Sequence, residues 1–98
     1  MWSRPKRSAK PPEIRVDNES SDFFTVIEVF ADDRIGLLYL ITRTLFNLGL
    51  DIGLAKIATK GNQIADIFYV RDMGGQKVTD PGRVRAIKEA LLKELQQG

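Results

Sequence analysis

The chain has 98 residues, 43% of them apolar and 29% charged, a balance that fits one globular domain and argues against wholesale disorder. Its net charge is +2, yet Arg4, Lys6, Arg7 and Lys10 all fall within the first ten residues; without them 11 basic residues face 13 acidic ones, a net −2. With neither cysteine nor histidine, the chain has no disulfide, no thiolate nucleophile, no Ser-His pair and no histidine metal site.

No apolar stretch approaches the ~18 residues that cross a bilayer, and no signal-peptide core follows the basic start. A soluble, cytoplasmic protein is expected. Residues 1–11 read as a basic flexible tail or linker closed by Pro11-Pro12, and residues 12–98 as the folded domain. Glu13-Ile14-Arg15-Val16-Asp17 alternates polar and apolar side chains, the pattern of a half-buried edge strand. Asn18 to Asp22 carries turn chemistry. Phe23 to Phe30 follows as a strand that is apolar on both sides and therefore central in its sheet.

A helix is predicted from about Ile35 to Leu48, with Asp32 or Asp33 as its cap and Gly49 as its stop. At 100° per residue, Leu37, Leu38, Ile41, Leu45 and Leu48 form its apolar stripe, flanked by Leu40 and Thr44. Tyr39, Arg43 and Phe46 fall on the opposite side, where two exposed aromatics mark a candidate contact with another chain. Leu50–Thr59 and Ile64–Arg71 read as a hairpin joined through Gly61 and Asn62. Apolar parity switches within the first of these strands near Gly53, which predicts a bulge. Asp80-Pro81 opens a last helix whose inner face is Val84, Ile87, Leu91 and Leu95. The order ββαββα predicts a ferredoxin-like α+β fold: a four-stranded antiparallel sheet with two helices on one face. Nothing after Leu95 can supply the usual last strand, so the Ile14–Val16 strand is expected to take its edge place against Phe23–Phe30.

Asp32-Asp33-Arg34-Ile35-Gly36-Leu37-Leu38 forms an acidic turn between a strand and a helix. The helix start offers unpaired N–H groups and a positive dipole end to an anion. Gly36 leaves that end without a side chain to crowd a ligand. Asp51, where the chain re-enters the sheet, is expected beside the same turn, so that Asp33 and Asp51 together could hold an ammonium. An anion cradle beside two carboxylates fits a free amino acid. Catalysis is a poor fit, because no nucleophile or base is arranged around the acids. RNA binding is a poor fit too: Phe68 and Tyr69 are adjacent and point to opposite sheet faces, and the domain itself is acidic.

Three segments carry a family resemblance: Phe24 to Phe30, Asp33-Arg34-Ile35-Gly36-Leu37-Leu38, and Leu48-Gly49-Leu50-Asp51-Ile52. Together they resemble an ACT domain, a small regulatory module that binds ligands, over about residues 12–95. Ile14 to Asn18, Asp66 to Asp72 and Gly75 to Asp80 are similar, more narrowly, to the C-terminal ACT domain of the bifunctional enzymes that add UMP to the PII nitrogen-signalling protein and remove it. The resemblance implies a glutamine-sensing regulatory domain that controls PII uridylylation. It implies an amino acid held at a dimer interface by Asp33, Arg34, Ile35, Gly36 and Leu37 together with Leu50, Asp51 and Ile52. Ile35 stands where the family pattern most often has proline, and Asp51 where it often has asparagine. The resemblance also implies that catalysis, with its Mg, belongs to other domains of the parent enzyme, and that this chain itself is no enzyme and needs no cofactor. The competing expectation is an ACT module that has kept its fold as a dimerisation or docking element without a ligand.

Overall fold

The computed structural model describes residues 11–31, 36–61 and 63–97. Its elements are β1 (Glu13–Asp17), β2 (Thr25–Phe30), α1 (Leu37–Asn47), β3 (Leu50–Lys60), β4 (Gln63–Asp72) and α2 (Pro81–Gln97). The strands form one antiparallel sheet in the order β1-β2-β4-β3. The expected ββαββα order and the α+β class are therefore observed, with β1 and β3 as the two edges.

Alternation along the two central strands sorts the core. In β2 and β4 the register places Ile27 opposite Phe68, and both are fully buried. They, Val29 and Val70 face Ile41 and Leu45 of α1 and Ile87, Leu91 and Leu95 of α2 in one apolar cluster. Both helices therefore lie on this side of the sheet. The opposite side holds a smaller cluster of Val26, Phe30, Ala65 and Ile67 with no helix residue in it. Cationic side chains cover part of it instead. The Arg15 guanidinium lies 4.8 Å from the centre of the Phe30 ring, and the Lys56 ammonium 5.4 Å from that of Tyr69. Lys60 meets the Glu28 carboxylate at 3.2 Å. Long aliphatic stems shield apolar surface while their charged ends stay wet, so this face needs no second helical layer.

Several local expectations shift. Helix α1 begins at Leu37 rather than Ile35, and its N-cap is Gly36, with no side-chain hydrogen bond to the cap, rather than Asp32 or Asp33. Leu38, expected in the buried stripe, is 58% exposed, because the first turn of α1 borders a hollow instead of packed core. Strand β2 starts at Thr25 rather than Phe23. The Ser21 hydroxyl accepts the N–H groups of Phe23 and Phe24, at 3.3 and 3.1 Å, and holds that segment in a turn. The bulge does fall where parity switches: the β3–β4 register slips between Ile52 and Leu54. Gly53 is needed there because the Phe24 ring lies over it. A Cβ at Gly53 would sit 2.6 Å from the nearest ring carbon. The same ring meets Tyr69 edge-on at 6.1 Å and carries the Arg71 guanidinium at 4.7 Å.

A polar clamp sets the path into α2. The buried Thr25 hydroxyl accepts the Val78 N–H at 2.8 Å and donates to the Asn18 side-chain oxygen at 2.6 Å. The Asn18 amide donates to the Val78 carbonyl at 2.8 Å. The Lys77 ammonium donates to the carbonyls of Asn18 and Ser21, at 2.6 and 2.7 Å. Nearby, the N–H groups of Glu19 and Ser20 hold the Asp17 carboxyl below its ordinary pKa. These contacts tie the β4–α2 connection to the β1–β2 turn. Helix α2 then opens as expected, its Arg83 N–H donating to the Asp80 carboxylate at 2.9 Å.

Two substitutions test this account by urea unfolding. Thr25→Val keeps the shape but strands the Val78 N–H, and is expected to lower stability by about 1–3 kcal/mol with an unchanged denaturant slope. Gly53→Ala must displace the Phe24 ring and is expected to cost about 1–3 kcal/mol, and markedly less in a Phe24→Leu background.

Candidate functional site

Gly36 takes φ 84° and ψ 0°, a left-handed conformation that L-residues with a side chain rarely adopt. A Cβ there would meet nothing within 4 Å, so the backbone angle rather than crowding calls for glycine, and the space beside the helix start is open. The Leu40 N–H donates to the Gly36 carbonyl at 2.9 Å and closes the first turn. The N–H groups of that turn point out of the helix end.

This end of α1 overhangs a hollow of about 570 Å³ between the helix and the β3–β4 hairpin, within the ~300–1,000 Å³ typical of small-molecule sites. Gly36, Leu37, Leu38 and Tyr39 form one wall, and Ala55, Ile57, Phe68 and Asp66 contribute to the other. A second hollow of about 430 Å³ lies at the other end of the helix, between Tyr39, Thr42, Arg43 and Phe46 and the strand start Leu50-Asp51-Ile52. Tyr39 borders both.

The residues predicted to form one site are thus divided. Gly36 and Leu37 line the first hollow, while Leu50, Asp51 and Ile52 line the second alongside the predicted contact residues Tyr39, Arg43 and Phe46. Asp33, Arg34 and Ile35 lie outside the described residues. Asp51 does not stand beside Gly36 within the chain, contrary to the expectation. Its carboxylate lies 3.9 Å from the Arg71 guanidinium, its cross-strand neighbour. The cause is the Leu48-Gly49 reversal, after which β3 runs back along α1. Its start meets the end of the helix, and only Ala55 to Ile57 reach the helix start. An 11-residue helix separates the two points by about 16 Å.

Tyr39, Arg43 and Phe46 are exposed as expected, with Phe46 at 74%. Leu38, Leu54, Ile57 and Ile64 are also exposed apolar residues, on α1 and the β3–β4 hairpin. Asp66 lines the first hollow and was not singled out by the sequence reading. It sits in the central strand β4, with Val29 and Ile57 as its neighbours on either side, and shares the helix-facing side with Phe68. The available signal was a carboxylate where alternation calls for an apolar residue. Among the described residues, no group of three or more His, Cys, Asp or Glu side chains could hold a metal ion, and no helix is long and apolar enough to cross a membrane.

A family model described as an ACR9-like, ACT-like domain matches residues 13–98, which is most of the chain. The chain belongs to the ACT-like domain family. Curated relatives of this ACT domain include the bifunctional uridylyltransferase/uridylyl-removing enzymes of Azospirillum brasilense, 49% identical over 85 residues, and Gluconobacter oxydans, 47% identical over 85. Each of these alignments covers 87% of the ACT chain and 9% of the relative. The enzyme of the same name from Zymomonas mobilis is 47% identical over 92 residues, covering 94% of this chain and 10% of its own. The ACT chain therefore spans about a tenth of the length of these relatives. No solved structure matches it.

In this ACT domain Gly36→Ala places a side chain at φ 84°. The expected loss is about 1–2 kcal/mol of stability, read as a lower urea midpoint.

Proposed function

We propose that this ACT domain senses a free amino acid, glutamine, and regulates the addition and removal of UMP on the PII signalling protein by a cytoplasmic parent enzyme. The supporting observation is the open hollow at a glycine-started helix, in a domain 46–49% identical to segments of several enzymes named uridylyltransferase/uridylyl-removing. The domain does no chemistry in this reading. Mg and the catalytic groups belong to other parts of the parent enzyme.

The ligand's α-carboxylate takes the N–H groups of the first turn of α1 beside Gly36 and Leu37, where the helix dipole favours an anion. The family resemblance adds Asp33, Arg34 and Ile35, which lie outside the described residues, to the contacts of this ligand. Leu50, Asp51 and Ile52 reach the ligand from a second copy. Strand β3 is a sheet edge of 11 residues, and an exposed edge accepts another strand through its unpaired N–H and C=O groups. Antiparallel two-fold pairing of β3 centred on Leu54 sets Asp51 of the partner subunit opposite Ile57, at the rim of the first hollow. Each site then draws on both subunits, and Tyr39, Arg43 and Phe46 lie toward the contact. Because ligand and dimer share one surface, binding shifts assembly, and a coupling of ~1–3 kcal/mol is the usual scale for such control.

Exposed Leu38, Tyr39, Phe46 and Ile57 favour one other reading, a docking module that dimerises without ligand. Calorimetry and thermal unfolding with glutamine, glutamate and serine separate the two. At tenfold its Kd, glutamine is expected to stabilise the domain by about 1.4 kcal/mol, or about 5–10 °C in Tm for a chain of this size. Asp51→Ala is expected to reduce that shift. Dimerisation with no heat and no shift from any of the three amino acids would establish the docking module instead.

A further inference from the structure

We propose that the bulge in β3 fixes the register in which two copies pair, with the two-fold axis at the Gly53–Leu54 peptide and Asp51 of each subunit against Lys56 of the other; this deepens the reading of β3 as a self-pairing edge and rests on it. Strand β3 is a sheet edge, and every residue from Gly53 to Ile57 is exposed. Leu50 and Ile52 turn toward the helix-covered core. Asp51 turns the other way, opposite Arg71, whose guanidinium lies 4.7 Å from the centre of the Phe24 ring. At the bulge two successive positions share the helix-free side. A Cβ at Gly53 would run into the Phe24 ring, and Leu54 stands opposite Tyr69, which meets that ring edge-on. Alternation then resumes. Ala55 and Ile57 lie on the helix side, where they line the hollow at the start of α1, and Lys56 lies opposite Ile67 on the helix-free side.

Outward from the Gly53–Leu54 peptide, the sides thus follow one order in both directions: helix-free, helix-covered, helix-free, helix-covered. Directly opposite residues of an antiparallel pair share a side. In an isologous pair, residue i meets j and j meets i. An axis at this peptide therefore matches sides at every pair from Leu50 to Ile57, whereas a shift of one position sets helix-side residues against helix-free ones. Relative to pairing centred on Leu54, the axis moves half a residue and leaves the partner's Asp51 beside Ile57. On the helix side Leu50 meets the partner's Ile57, and Ile52 the partner's Ala55. On the other side Asp51 meets the partner's Lys56, and symmetry makes this contact twice. Lys56 already holds its ammonium on that side, 5.4 Å from the centre of the Tyr69 ring. Arg71, 3.9 Å from Asp51, extends the row so that charge alternates in sign across the contact. A register centred on Ile57 also matches sides, but only over Leu54 to Lys60. It sets Lys56 against the partner's Ala58 and leaves Asp51 outside. Charge complementarity selects the axis at the bulge.

The test measures dimerisation of the full chain by sedimentation, without ligand and with glutamine, after urea unfolding has shown that each variant folds. Asp51→Lys and Lys56→Asp each set like charges opposite one another at both contacts and are expected to weaken the dimer about tenfold. The doubly substituted chain, and an equimolar mixture of the two single variants, are expected to recover wild-type association, and the differences to shrink in high salt. The chain has no cysteine, so introduced thiols report the register directly. Under mild oxidation Ile52→Cys mixed with Ala55→Cys is expected to give the mixed disulfide. Ile57→Cys alone is expected to give none, because the two copies of that position lie about 23 Å apart in this register. Efficient self-linking of Ile57→Cys, or single charge variants that neither the double substitution nor mixing rescues, would overturn the register. So would a wild-type chain that stays monomeric at millimolar concentration with and without glutamine. Heat from glutamine decides the sensing reading separately: a dimer with this charge pattern and no such heat supports the register and removes only that reading, and such heat from a monomer does the reverse.

Discussion

Everything in this domain is positioned against one strand pair, β2 with β4, where Ile27 and Phe68 face each other in full burial. Because side chains alternate across a strand, that pair decides which side of the sheet the helices cover. On this side, the apolar stripes of α1 and α2 close over Val29 and Val70. On the other side the same alternation exposes Val26, Phe30 and Ile67 to a thinner cover. Arginine and lysine stems stacked on aromatic rings provide it, an arrangement worth roughly a kcal/mol per stack and permissive of water.

The clamp around Thr25 serves the same layout. Without it, the stretch between β4 and α2 would have to find partners for its backbone in a region that carries no strand or helix. The Asn18 amide, the Thr25 hydroxyl and the Lys77 ammonium provide the partners at one stroke. Segments about sixty residues apart in sequence are joined by groups that are individually ordinary. Their combined geometry brings α2 back beside α1 and β1.

The candidate site follows from where the helical layer stops. Helix α1 needs only the turns that cover Phe68 and Val70, and the hairpin β3–β4 extends past its start. Among the described residues, the overhang makes a hollow whose wall combines apolar side chains with the Asp66 carboxylate. The reversal at Gly49 then sends β3 back along the helix and places Asp51 a full helix length from Gly36. A site containing both therefore requires a second chain, so the proposed sensing function is tied to assembly.

The amino-acid sequence by itself determined the number, kind and order of elements, the bulge at Gly53, the helix start at Asp80 and the exposed set Tyr39, Arg43 and Phe46. These are consequences of local periodicity and turn chemistry, which act over a few residues. The tertiary structure decided that Gly36 rather than an aspartate begins α1, and that Leu38 overlooks a hollow. It also decided that Asp51 pairs with Arg71, and that Asp66 lies in the wall near Gly36. Each of these depends on which segments meet across the sheet and where one layer ends over another. Periodicity within a segment carries no information about such meetings, because they are set by the direction of packing between segments.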